Sequence, residues 1–416
     1  MKVVIINKSD ETGGAAVVSL RLMDALRREG VDARMLVVEK CTDSPYVERA
    51  ASPRAIRRAF LAERLKIFMA NGMNRTDLFK VDTASDGIKL WSHRWVREAD
   101  IVCLNWVNQG MLSLEGIRKL GELGKPIFQT MHDLWCMTGI CHHPGDCIRF
   151  REKCGDCKFL GRMKKPGDVS FTVHEAKKRL YADVPIHFVA VSNWLAGKCR
   201  ESSLLRNMDI SVIPNAFPID EFEEGRGSRD GKFRVVMGAA RLDDPIKGLP
   251  LLIEATNILE NEYPELAARM ELITFGTVKN PDAFEGIGVA HKHLGRLSGT
   301  ESVSGVYRSA DCVVSSSLFE TLPGTLIEGQ ACGCVPVSFN RGGQPDIIDH
   351  LRTGYIADFS NDATESARNL AEGLVWASEQ PSGIKREMRA AVESRFSPHS
   401  VATAYLALFQ YALAGK

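Results

Sequence analysis

The 416-residue sequence contains no apolar run near the roughly twenty residues that a membrane-spanning helix requires. It has almost no net charge: 53 basic and 52 acidic residues leave +1, so the chain as a whole is not drawn to nucleic acid. The opening stretch, Met1–Asn7, reads as a short buried strand. It lacks the small-residue cleavage site of a secretion signal, and a cytoplasmic protein is expected. A disulfide framework is also missing. The eleven cysteines are an odd number, scattered mostly through apolar segments as reduced core residues. There is no short-period repeat and no low-complexity tract. At 44% apolar and 25% charged residues, the disordered and fibrous classes are excluded. What remains is a globular chain long enough for two or three domains.

Short apolar strands alternate with amphipathic helices throughout, the pattern of βαβ units and parallel sheets. Strands are predicted at 2–7, 33–38, 101–104, 127–130, 187–191 and 210–213. After a break they resume at 233–238, 270–275, 312–315, 335–339 and 354–356. The break, 216–231, is rich in Gly, Ser and charge and includes Glu223-Glu224-Gly225-Arg226-Gly227, a linker composition. Two doubly wound domains follow, 1–215 and 232–397. The last helix, 398–414, is expected to close the second or pack back on the first, and ligand is expected in a cleft between the domains.

The segment 315–358 concentrates the chemistry. Behind a predicted strand come Glu320, a turn at Leu322-Pro323-Gly324, a helix starting near Thr325, and Glu328 on its first turns. A helix start offers unpaired N–H groups and positive dipole character to a phosphate, and the two carboxylates flank it as hydroxyl acceptors. Arg241 and Lys247 follow the predicted strand 233–238 and can neutralise a diphosphate; the alternative is a surface salt bridge from Arg241 to Asp243 or Asp244. Gly13 and Gly14 sit in the first strand-to-helix turn, where backbone can approach a phosphate or where a tight turn simply needs glycine.

Together, Arg241, Lys247-Gly248, Glu320, Glu328, Ala331-Cys332-Gly333, Gly342-Gly343 and Thr353-Gly354-Tyr355 resemble the retaining group-one glycosyltransferases (family four type) of GT-B fold, across nearly the whole chain. Within that family, His132-Asp133-Leu134-Trp135, Thr138-Gly139, the cysteine cluster and Ser192-Asn193-Trp194-Leu195 are most similar to the bacterial exopolysaccharide and colanic-acid-type branch. The resemblance implies two Rossmann-like domains facing each other across a cleft, and sugar transfer from a UDP- or GDP-sugar to a saccharide or lipid-linked acceptor. It implies no cofactor for catalysis. Arg241 and Lys247 would hold the diphosphate, Glu328 the ribose and Glu320 the donor sugar, with His132 near that sugar and Gly13-Gly14 near the phosphates. Asn105 stands where this branch often has His, and Ala216 where Gly is commoner. Two other readings stand beside it: a sugar-nucleotide epimerase of the same fold, and a catalytically silent sugar-nucleotide-binding partner of another transferase.

Two stretches fall outside this scheme. Cys141, Cys147, Cys154 and Cys157 crowd one basic insertion, 138–165, as candidate ligands of a structural zinc or as unligated thiols or a redox pair. A helix over 53–70 sets Arg54, Arg57, Arg58, Arg64 and Lys66 against Ile56, Phe60, Leu61, Leu65, Ile67 and Phe68. Such a helix suits peripheral contact with the inner face of the cytoplasmic membrane, or core packing with a solvated basic face.

Overall fold

A computed structural model describes residues 1–225, 227–228, 230–381 and 383–415. The chain forms two compact units, Met1–Ala216 with Val401–Lys416, and Phe217–Ser400. Each is built on one parallel sheet.

In the first unit the strands are β1 (Lys2–Ile6), β2 (Asp32–Val37), β3 (Val47–Arg49), β4 (Ile101–Leu104), β5 (Ile127–Met131), β6 (Ile186–Ala190) and β7 (Ile210–Val212). Their order is β3-β2-β1-β4-β5-β6-β7, every neighbouring pair parallel. In the second they are β8 (Phe233–Arg241), β9 (Met270–Thr277), β10 (Ala290–His293), β11 (Cys312–Ser315), β12 (Val335–Phe339) and β13 (Tyr355–Ala357), ordered β10-β9-β8-β11-β12-β13. Both orders place a switch point between the first and fourth strands, and loops leaving the carboxyl ends there are where open α/β sheets take ligands. The predicted strands fall within a few residues of these. The short edge strands β3 and β10 are additions; Ala290-His291-Lys292-His293 has no apolar run by which to read it.

Strands buried on both faces are nearly all apolar, as β4 (Ile-Val-Cys-Leu) and β11 (Cys-Val-Val-Ser) illustrate. The final helix, Pro398–Ala414, buries Val401, Ala402, Tyr405 and Phe409 in the first unit's core. There Tyr405 and Thr130 share a 2.9 Å hydroxyl hydrogen bond. Of the stretch read as a linker, Arg226 and Arg229 lie outside the described residues, while Phe217, Ile219 and Phe222 are buried.

In the helix Pro53–Ala70, Arg54, Arg57, Arg58 and Lys66 are exposed and Ile67 is buried, as a solvated basic face requires, but Arg64 departs from that face. Ala59, Glu63, Arg64 and Ile67 face inward, while Leu61 and Leu65 point out. The cause is a partner that periodicity cannot supply: Arg64 Nη2 donates to Asp82 Oδ1 at 2.7 Å, and a charge so paired tolerates burial that a lone one would not.

Candidate active site

In the second unit three loops meet at the carboxyl end of the sheet, from β8, β11 and β12. Near its end β8 slips register between Gly238 and Arg241, a bulge that re-aims the chain entering the first loop. The loop turns at Gly248, whose φ of 64° and position beside the Ser316 carbonyl exclude a side chain: a Cβ would lie 2.1 Å from that oxygen. Leu318 N–H donates to the Ile246 carbonyl at 2.8 Å, and Ser316 Oγ to the Lys247 carbonyl at 2.9 Å. Gly343 N–H donates to the Glu320 carbonyl at 3.0 Å. The backbone of Gly342 lies so close that a Cβ would fall 1.8 Å from the same oxygen.

This framework brings Lys247 and Glu320 together across the switch point. Nζ is 2.5 Å from Oε1, with about a quarter of the lysine side chain exposed and a fifth of the glutamate's. The same β11 loop feeds the helix Gly324–Ala331. Its N-terminus has no side-chain cap and no acid in its first turn. Its N–H groups therefore stand ready for an anion beside an ammonium group. Glu328 is half-buried on that helix, close enough to Tyr307 for its charge to add to the burial that raises the phenol's pKa. Arg241 lies 3.3 Å from each of Asp243 and Asp244, the salt-bridged state weighed from the sequence.

In the first unit, Gly13 caps the helix Gly14–Arg28 at φ 95°, again without a side-chain cap or first-turn acid, and a Cβ on either glycine would meet nothing within 4 Å. His132 leaves the end of β5. Burial pushes its pKa down to about 4 against the opposing pull of Asp133, so at neutral pH the ring is an uncharged imidazole. Behind it runs a buried charge relay that the sequence did not disclose. Asp133 Oδ2 is 2.7 Å from His142 Nδ1 and accepts from Trp106 Nε1 at 2.9 Å. His142 Nε2 lies 3.3 Å from Asp82 Oδ2, and Asp82 Oδ1 also takes the Gln109 N–H at 3.0 Å. Burial alone would lower the His142 pKa, but the two carboxylates outweigh it and push it up to about 9. Burial and Asp82 push Glu63 up to about 8.

A family model, "Glycosyl transferases group 1", matches residues 220–389, which contain this second-unit framework. Residues 220–389 are a group 1 glycosyltransferase domain. Over 368 residues the chain is 24% identical to a D-inositol 3-phosphate glycosyltransferase of Paenarthrobacter aurescens, covering 84% of this chain and 81% of that protein. Its fold matches Anabaena HepE, crystallised in complex with UDP and glucose, at a TM-score of 0.60 and 14% identity over 99% of this chain and 100% of that one. It also matches a sucrose-phosphate synthase of Thermosynechococcus elongatus, at a TM-score of 0.65 and 14% identity over the whole of both chains. The chain thus has the GT-B architecture of two Rossmann-like domains.

Within the glycosyltransferase domain, Lys247 and Glu320 are in contact, and Leu322, Pro323, Gly324 and Thr325 lead from them into the uncapped helix that carries Glu328. Gly13, Gly14 and His132 belong to the first unit. The four clustered cysteines are free thiols, and among the described residues no three His, Cys, Asp or Glu side chains are grouped to hold a metal ion. Cys141 packs in a small apolar cluster with Ile67, Val81 and Leu160, and Cys154 Sγ accepts the Gly139 N–H at 3.1 Å. Asp82 and Trp106 had no sequence signal, because the partners that give them meaning lie far away in the chain, and Arg64, read from the sequence as part of a basic face, is buried against Asp82 for the same reason.

Proposed function

We propose that the protein is a retaining glycosyltransferase that moves a hexose-type sugar from a UDP- or GDP-sugar to a saccharide or lipid-linked saccharide acceptor, as in bacterial polysaccharide assembly. The observation that carries this reading is the Lys247–Glu320 pair beside the uncapped helix Gly324–Ala331. A donor diphosphate seated there meets helix N–H groups and the Lys247 ammonium. Arg241 joins them by exchanging an aspartate for a phosphate oxygen. These groups stabilise the charge that builds on the leaving diphosphate as the anomeric bond breaks, and that is the requirement of the step. Glu320, already held by Lys247, accepts hydroxyls of the donor sugar, and Glu328 those of the ribose. The acceptor oxygen then attacks from the face the diphosphate leaves, its proton passing to the departing diphosphate oxygen, and configuration is retained. For His132 the resemblance implies a role near the sugar; its ring is uncharged at neutral pH, so that role would be hydrogen bonding rather than that of a cation. The grip itself supplies the positive charge, so the reaction proceeds without a catalytic metal.

Release of nucleoside diphosphate from UDP- or GDP-sugars, with and without added saccharide or polyprenyl-phosphate-linked acceptor, tests this. Acceptor-dependent release supports transfer. Conversion of the nucleotide sugar to its epimer without release would replace transfer with epimerisation.

A further inference from the structure

The helix Pro53–Ala70 turns an unpartnered face to solvent. Leu61, Leu65 and Met69, one helical turn apart, are 51%, 56% and 55% exposed, and Met73 just beyond is 71% exposed. Isolated exposed leucines are ordinary, but a contiguous row is not. The first turns of the same face carry Arg54, Arg57 and Arg58, all exposed and without an ion pair to any described residue. Cations at a helix N-terminus oppose its dipole, so they weaken this helix rather than support it. The helix's one acid, Glu63, is fully buried on the opposite side, which leaves the outward face purely cationic and apolar. A second segment joins it. Met163 of the cysteine-rich insertion lies beside Gly72, and it is exposed together with its neighbours Arg162, Lys164 and Lys165. Two basic clusters therefore border one apolar strip.

We propose that this face is a docking surface for an anionic lipid bilayer, with Leu61, Leu65, Met69 and Met163 entering the headgroup–acyl boundary and the flanking arginines and lysines meeting lipid phosphates. An apolar strip buried to that depth, reinforced by basic residues drawn to the surface potential, is how interfacial helices hold a membrane. A protein partner would match the apolar strip equally well. Arg54, Arg57 and Arg58, without an ion pair to any described residue while Lys66 of the same helix is held by Asp86 at 2.7 Å, favour a continuous anionic surface. On its inner side the helix is tied through Arg64, Asp82 and His142 to the loop bearing His132, so docking fixes the first unit's loops relative to the membrane. The inference stands apart from the glycosyl-transfer reading, because its test needs no turnover.

Flotation of the full chain with vesicles of phosphatidylcholine alone, or containing phosphatidylglycerol, decides it. The full chain should float with the anionic vesicles, lose binding as salt rises, and leave the zwitterionic ones largely unbound. Replacing Arg54, Arg57 and Arg58 by Ser should weaken binding about tenfold or more. Leu61, Leu65 and Met69 replaced by Ser should do the same while leaving circular dichroism and donor-sugar binding unchanged, since none of the six is buried. Equal binding to both vesicle types, no binding to either, or an apolar variant that only converts a dimer to a monomer would overturn the proposal.

Discussion

Lys247 Nζ and Glu320 Oε1 sit 2.5 Å apart although 73 residues separate them in the chain, joined by loops from strands on either side of the sheet's switch point. If this pair grips the donor, Lys247→Ala and Glu320→Ala should each lower turnover at least about tenfold, the loss of one positioned charge at a developing anion. Both side chains are partly exposed, so the pair adds little to stability and the melting temperature should hold. Full activity in either variant would remove that residue from the mechanism.

The two glycines of the first turn separate fold from function. Gly14→Ala meets no clash and sits in helical backbone, so its stability should equal or slightly exceed wild type. Gly13→Ala, forced to φ 95° and ψ 160°, a region almost confined to glycine, should lose about 1–3 kcal/mol. If phosphate approaches this backbone, Gly14→Ala will nevertheless raise the donor KM. An unchanged KM would make the turn purely structural.

The relay behind His132 predicts a stability profile. His142, raised from 6.5 to about 9, contributes stability in full below pH 6.5 and loses it as pH rises through 9. Glu63, raised from 4.5 to about 8, acts in the same direction between those values. Urea midpoints should therefore fall between pH 6.5 and 8; above that Lys177, which burial lowers from 10.5 to about 8, acts in the opposite direction. His142→Gln should be less stable by about 3–5 kcal/mol at pH 6.5, because it leaves Asp133 buried without its cation and Asp82 with Arg64 alone, and its profile should be flatter. A parallel profile in the variant would refute the relay.

Much of this was legible in the sequence, and for a physical reason. Lys247 and Glu320 each lie a few residues beyond an apolar strand, so local pattern alone puts both at the same end of one sheet. Residues whose meaning depends on distant partners were not legible. Asp82 and His142 are 60 residues apart, and no spacing rule joins them. The helix Pro53–Ala70 was located by periodicity. Its pattern left core packing and an outward apolar row both open, and Arg64 is buried only because Asp82, a residue outside the helix, pairs with it.

The closing helix gives a prediction for the core. Phe409 is fully buried, its ring centroid 4.9 Å from that of Phe128. Phe409→Ala should destabilise the first unit by about 3–5 kcal/mol. Calorimetry that resolves the two units should show the loss there and leave the transition of Phe217–Ser400 in place.

Nucleotide-sugar binding by the intact protein tests the central claim most directly, measured as thermal stabilisation by UDP- and GDP-sugars in wild type and in Lys247→Ala. One donor family should raise wild-type stability by about 2.7 kcal/mol at a hundred times its Kd. The variant should show little stabilisation at the same concentration. Stabilisation of both proteins alike, or of neither by any nucleotide sugar, would contradict the account.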